Sequence, residues 1–148
     1  VILFIGYGNT LRRDDGAGRE FVSRIAARFP QNMVRVLECH QLMPELALDI
    51  ASPDITAVYF VDASVATMQG RIRTIERASL PPSTGHHLTP SLLLDLSYVL
   101  YQVAVPAWLI EIPAFDLDCG EGLSAPCELE MSTVVQNVTE YLEFANVP

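Results

Sequence analysis

The chain has no lysine, and its nine basic side chains are all arginines, the last of them Arg77. That absence excludes a phosphate-loop lysine, a Schiff-base lysine and a lysine general base. Residues 1–77 balance their acids with arginines, whereas residues 78–148 carry acids and neither lysine nor arginine, so the net charge of −9 belongs to the second half. A nucleic-acid partner needs a cationic face to displace counterions, and half of this chain cannot supply one. A metal ion, a cationic peptide or a basic protein surface suits this charge better than DNA or RNA. The three cysteines, Cys39, Cys119 and Cys127, form no CxxC pair and no zinc-ligand spacing, so reduced thiols are expected. There is no GxSxG elbow, no HExxH helix and no cysteine in a recognisable nucleophile motif. Ser64 has no marked base to activate it. The longest apolar runs, "VILFI" and "AVYFV", are far too short to span a bilayer. With no charged-then-apolar signal segment before the first strand, a soluble cytoplasmic protein is expected.

What is present is enough for one α/β domain over residues 1–148. "VILFIG" reads as a strand buried on both faces. "GAGREFVSRIAARF" places Phe21, Val22, Ile25, Ala26 and Phe29 on one helical stripe that Pro30 ends. "MVRVLE" alternates as a second strand, and "PELALDIA" reads as a short helix begun by Pro44. "ITAVYFVDAS" is the strongest buried strand. "GRIRTIERA" alternates strictly, which predicts an edge strand with arginines facing water. "TPSLLLDLSYVLYQV" is helical, with Thr89 and Pro90 at its cap and first turn. "AWLIEI" is a further strand, and "APCELEMSTVVQNVTEYLEFA" makes a closing helix. The alternation predicts a single-domain sandwich: a mostly parallel, mixed sheet of about five strands with helices on both faces. Ligands of such sheets bind beyond the carboxyl ends of the strands.

Three polar stretches fall there. "GYGNTL" invites comparison with a dinucleotide fingerprint and fails it. Gly6 and Gly8 fit, but the third position is Leu11, and Asp14 and Asp15 would repel a pyrophosphate. One of these two aspartates is expected to cap the following helix, leaving the other free to bind a cation. Asp62 closes the strongest strand, where an unpaired carboxylate is costly. It is either the anchor of a neighbouring loop or part of a ligand site. "GHHLTP" supplies His86 and His87 just before a helix. One imidazole with two carboxylates from other loops would make a mixed oxygen and nitrogen set suited to nickel or zinc. His40, in "ECHQL", is a further ligand or supporting candidate, or a surface residue.

With these residues in view, the chain resembles the nickel–iron hydrogenase maturation endopeptidases over nearly its whole length. "GYGNTLRRDDGAG" is similar to the family's opening G-x-G-N-x-L-x-x-D-D/E-x-x-G pattern. "ECHQLMPELA", "VYFVDAS", "HHLTPSLLL" and "IPAFDLDCGEGLS" follow in the family's order. The resemblance implies a hydrolase, an endopeptidase that removes the C-terminal extension of a NiFe hydrogenase large-subunit precursor after nickel insertion. It implies that nickel arrives with the substrate and that no cofactor is permanently bound. It also implies that Asp15, Asp62 and His86 contact that nickel and carry the catalysis. Counting to Leu88 selects His86, while counting to Pro90 selects His87. Two departures stand out: aspartate at position 15, where some members have glutamate, and "ECHQ", where several relatives have a glycine-rich turn. A monomer is expected, with the precursor as partner and neither nucleic acid nor membrane. The alternative is a non-catalytic module that recognises nickel-loaded precursor through the same residues.

Overall fold

A computed structural model of the chain describes residues 1–78 and 87–145. Its strands are β1 (Ile2–Tyr7), β2 (Val34–Cys39), β3 (Ala57–Ser64), β4 (Arg71–Ile75) and β5 (Ala107–Pro113), joined in one sheet in the order β2-β1-β3-β5-β4. Strands β2, β1, β3 and β5 run parallel, and β4 lies antiparallel at the edge against β5. The helices are α1 (Ala17–Ala26), entered through a 3-10 turn at Arg13–Gly16, then α2 (Leu46–Ile50), α3 (Pro90–Tyr101) and α4 (Ala125–Ala145). This is the expected α/β architecture.

Two cores, one on each face of the sheet, account for it. On one face Phe4, Val61, Ile110 and Ile112 pack against Phe21, Val22 and Ile25 of α1 and Met131, Val135 and Val138 of α4. On the other face Leu3, Ile5, Phe60 and Leu109 pack against Ala47 and Ile50 of α2 and Leu93 and Leu94 of α3. Successive residues of β1 therefore serve opposite cores, which is why the run reads as continuously apolar. The rings of Phe4, Tyr59 and Trp108 stack across three adjacent strands with centroids 4.8 Å apart. Helix α3 starts as the sequence predicts: Thr89 Oγ1 accepts the Leu92 N–H at 3.2 Å, and Pro90 occupies the first turn. Helix α1 ends before Pro30, at Ala26, because the last amides turn to tighter partners and Arg28 N–H bonds to the Ile25 carbonyl. Among the described residues no helix is long and apolar enough to cross a membrane.

The four parallel strands end on one side of the molecule, and the antiparallel β4 begins there at Arg71, opposite Glu111. The start of α1 is pressed onto that end. A Cβ at Gly18 would lie 2.2 Å from the Val61 carbonyl oxygen and 2.9 Å from that of Tyr7, and one at Gly6 would lie 2.2 Å from the Gly18 carbonyl oxygen. Both positions need glycine because backbone meets backbone there. Gly18→Ala is expected to destabilise the fold by about 3 kcal/mol or more. Gly122→Ala, whose Cβ would meet nothing within 4 Å although φ is +84°, should cost about 1 kcal/mol. Urea denaturation of the two variants side by side tests this; equal losses would contradict it.

Candidate functional site

The sheet register lines up one residue from each strand near this end. Cys39 lies opposite Tyr7, Asp62 opposite Glu111, and Glu111 opposite Arg71. Gly6 opposite Val61 brings Tyr7 beside Asp62 one residue further on. The row faces the α2 and α3 side, because Ile5, Phe60 and Leu109, each two residues earlier, belong to that core.

Charge compensation along the row is uneven. Glu111 is 8 % exposed and is held by Arg71, with Arg73 Nε at 3.4 Å. The Arg71 hydrogen bond, against the opposing effect of burial, keeps its pKa below the ordinary range. The arginines of β4 thus lie on the exposed edge, as predicted, yet both turn onto this glutamate. Asp62 has no such partner: among the described residues no ion pair reaches it or Asp15. Burial pushes the Asp62 carboxyl up to about 6, the Tyr7 hydroxyl and the Ala63 N–H pull it down, and the charges of Asp15 and Glu111 raise it again. Burial first, then the neighbouring Asp62 carboxylate, hold the Tyr7 phenol protonated well above the ordinary range.

Asp15 comes from the 3-10 turn after β1 and is half-buried. Its Oδ2 accepts the Asn9 N–H at 2.9 Å, and Asn9 Oδ1 accepts the Leu11 N–H at 3.0 Å. Gly8, at φ +140°, makes this fold-back possible, since a Cβ there would lie 1.9 Å from the Asp15 carbonyl oxygen. Neither aspartate caps α1: its N-cap, Gly16, makes no side-chain hydrogen bond. That expectation is corrected. Asp14 is fully buried and holds the far loop instead. It accepts the backbone N–H groups of Phe115 at 2.8 Å, Asp116 at 2.9 Å and Ser124 at 2.7 Å, and the Ser124 hydroxyl at 2.6 Å. Burial pushes its pKa up, but these bonds, the Ser124 hydroxyl foremost, hold it below the ordinary range.

The structure therefore brings Asp15 and Asp62 into mutual electrostatic reach and gives Asp14 a different task. His86 lies outside the described residues. His87 is exposed, and the next residue, Leu88, packs on the α2 and α3 core, the side that carries the row. His40 is exposed after β2. Among the described residues no group of three or more histidine, cysteine, aspartate or glutamate side chains could hold a metal ion. Sequence reasoning missed Tyr7, Glu111 and the partnership of Asp14 with Ser124. The parity of Tyr7 with Leu3 and Ile5, and of Glu111 with Leu109, was the available signal for the first two.

No protein-family model matches the sequence, and no curated protein matches it. Solved structures do. The NiFe hydrogenase maturation protease HycI from Thermococcus kodakarensis KOD1 superposes with a TM-score of 0.76 at 20 % identity, covering 96 % of this chain and 92 % of its own. The hydrogenase maturating endopeptidase HybD from E. coli gives 0.75 at 20 % identity, with 98 % and 93 % covered. An uncharacterized protein from Wolinella succinogenes gives 0.63 at 18 % identity, with 98 % of each chain covered. The fold is that of the NiFe hydrogenase maturation proteases. The likeness suggested by the motifs thus extends through the whole architecture.

Two outcomes follow from the electrostatics. Asp14→Asn puts an amide where three N–H groups and a hydroxyl converge, and is expected to cost about 3 kcal/mol or more in urea denaturation. Because the folded pKa of Asp14 is lowered, its contribution is complete above the unfolded carboxylate pKa of about 4 and fades as pH falls through the folded value. The wild type should therefore lose its advantage over Asp14→Asn in acid. Asp62 has the opposite sign. Its folded pKa is raised to about 6, so its ionisation progressively destabilises the fold between about pH 4 and 6. Asp62→Asn should then stabilise the protein by about 1–2 kcal/mol at pH 7.5 and by nothing below about pH 4. Thermal melts at both pH values read the difference; a gain that persists in acid would refute the assignment.

Proposed function

We propose that this chain is an endopeptidase that removes the C-terminal extension of a nickel-loaded NiFe hydrogenase large-subunit precursor. The observation that carries the reading is the nearness of two half-buried carboxylates, Asp15 and Asp62, neither paired with an arginine among the described residues, on the scaffold of that protease fold. Uncompensated negative charge at the carboxyl end of a parallel sheet is a place for a positive ligand. The ion comes with the substrate, held by the precursor's own ligands, and Asp15, Asp62 and His86 complete its coordination. Oxygen and imidazole donors suit a borderline divalent ion such as nickel. So placed, the ion polarises the scissile carbonyl or acidifies the attacking water. Asp15 and Asp62 hold the reacting end of the precursor against it. A precursor without nickel gives these side chains nothing to grip, so metal insertion acts as a checkpoint. Asp14 is committed to the Ser124 loop and takes no part in the chemistry. The protein works as a monomer in the cytoplasm, where its three free cysteines stay reduced.

Purified large-subunit precursor, with and without nickel, incubated with the protein and read by intact mass, tests the proposal. Wild type should release a C-terminal peptide from the nickel-loaded form alone. Asp15→Ala, Asp62→Ala and His86→Ala should each lose at least about a hundredfold in rate, while His87→Ala keeps most of it. Binding without any change in mass would make the chain a recognition module. Absence of binding would sink the reading.

A further inference from the structure

We infer that Tyr7 is a positioning residue for Asp62: its phenol O–H donates to one carboxylate oxygen and leaves the other for the cation. The inference rests on the reading of Asp15 and Asp62 as a cation site. It begins with the register, which sets Tyr7 beside Asp62 on the same face of adjacent strands. The two groups influence each other electrostatically across this pair, and a hydrogen bond of this kind is often long in a ligand-free site and tightens when the ligand arrives.

The phenol's position is fixed by the backbone around it. Tyr7 stands between two glycines that accept close contact, Gly6 under α1 and Gly8 folded against Asp15. The Gly8 N–H bonds to the Cys39 carbonyl at 3.1 Å, tying the end of β1 to β2. The Tyr7 ring packs against the α2 and α3 core. A ring anchored this way presents its hydroxyl at one place. Asp62, by contrast, sits at the strand end with a carboxylate whose terminal torsion is broad and two-fold. The other acid of the row cannot help, because Glu111 is occupied by Arg71 and Arg73 and brings no proton to share. Among the described residues no arginine pairs with Asp62, and Tyr7 is the hydroxyl that the register sets beside it. Partners of this kind around metal-binding carboxylates orient the ligand, and their loss typically costs about 10–100-fold in metal affinity.

The test uses cadmium chloride as the probe and needs no turnover. Wild type, Tyr7→Phe, Asp15→Ala and Asp62→Ala are titrated with the ion by calorimetry at pH 7.5. Cadmium-113 magnetic resonance then reads the ligand arrangement, and thermal melts monitor the fold. Wild type should bind, and either alanine variant should abolish binding. Tyr7→Phe, which keeps the ring packing, should bind about tenfold more weakly with a displaced cadmium resonance and an unchanged melting temperature. Affinity and resonance identical to wild type in Tyr7→Phe would overturn the inference, even if the melting temperature fell. Wild type that fails to bind, or binding that survives Asp62→Ala, would overturn the cation-site reading, and the role given to Tyr7 would fall with it.

Discussion

The carboxylate of Asp14, fully buried and ringed by donors from residues 115–124, is the interaction on which the functional end of the molecule depends. A charge removed from water without partners would be strongly unfavourable. Here three backbone amides and a hydroxyl replace the lost solvation, and the Ser124 bonds close a gap of 110 residues in sequence. The same contact serves the start of α4, where Ser124 Oγ also accepts the Cys127 N–H and the Ser124 carbonyl accepts that of Glu128. Around it the loops after β1 and β5 are laced together: Arg13 N–H to the Gly120 carbonyl, Gly120 N–H to that of Leu11, and Asp14 N–H to that of Asp116. With Asp14 anchored inward, its neighbour in the 3-10 turn is set by the same backbone, which leaves Asp15 half-exposed and within electrostatic reach of Asp62.

Along the row of Cys39, Tyr7, Asp62, Glu111 and Arg71 the fold handles two neighbouring acids in opposite ways. Glu111 is neutralised by arginines from the edge strand and held ionised. Asp62, one strand further in, has a phenol and a backbone amide, faces Asp15, and is pushed up to about 6. Sequence charge explains part of this asymmetry. The arginines stop at Arg77, so the edge strand is the last element able to provide one. They are used on Glu111, and the charge of Asp62 is left without a counterion among the described residues.

The fold was legible because its signals are local. Continuous apolar runs marked β1 and β3, strict alternation marked β4 as an edge, and Thr89–Pro90 marked the start of α3. The placement of Asp15 and Asp62 at the carboxyl end of the sheet was legible too, since strand ends and glycine turns are short-range features. What escaped the reading is set by contacts distant in sequence or by register. An aspartate before a helix looks like a cap, and nothing local tells Asp14 that its donors lie at Phe115, Asp116 and Ser124. Tyr7 and Glu111 became neighbours of Asp62 only when the order β1-β3-β5 and its pairing were known.

The contrast between Asp14 and Asp15 shows how much a site owes to what surrounds it. Two identical side chains stand next to each other; one is saturated by donors and the other carries a single backbone N–H at 2.9 Å. Saturation lowers the pKa of Asp14 and makes it inert as a ligand, because its lone pairs are taken. Asp15 keeps acceptor capacity, and its charge is one of those that make ionised Asp62 unfavourable. On the proposed reading that repulsion has a use. A pair of oxygen donors with one carboxylate pKa raised toward neutral pH binds a free ion, but only weakly. An ion that brings its own donors from the substrate needs only to have its coordination completed. The same electrostatics that weaken the pair as a trap for stray metal would favour a metal already installed, and selectivity would then come from leaving the site unfinished rather than from building a tighter one.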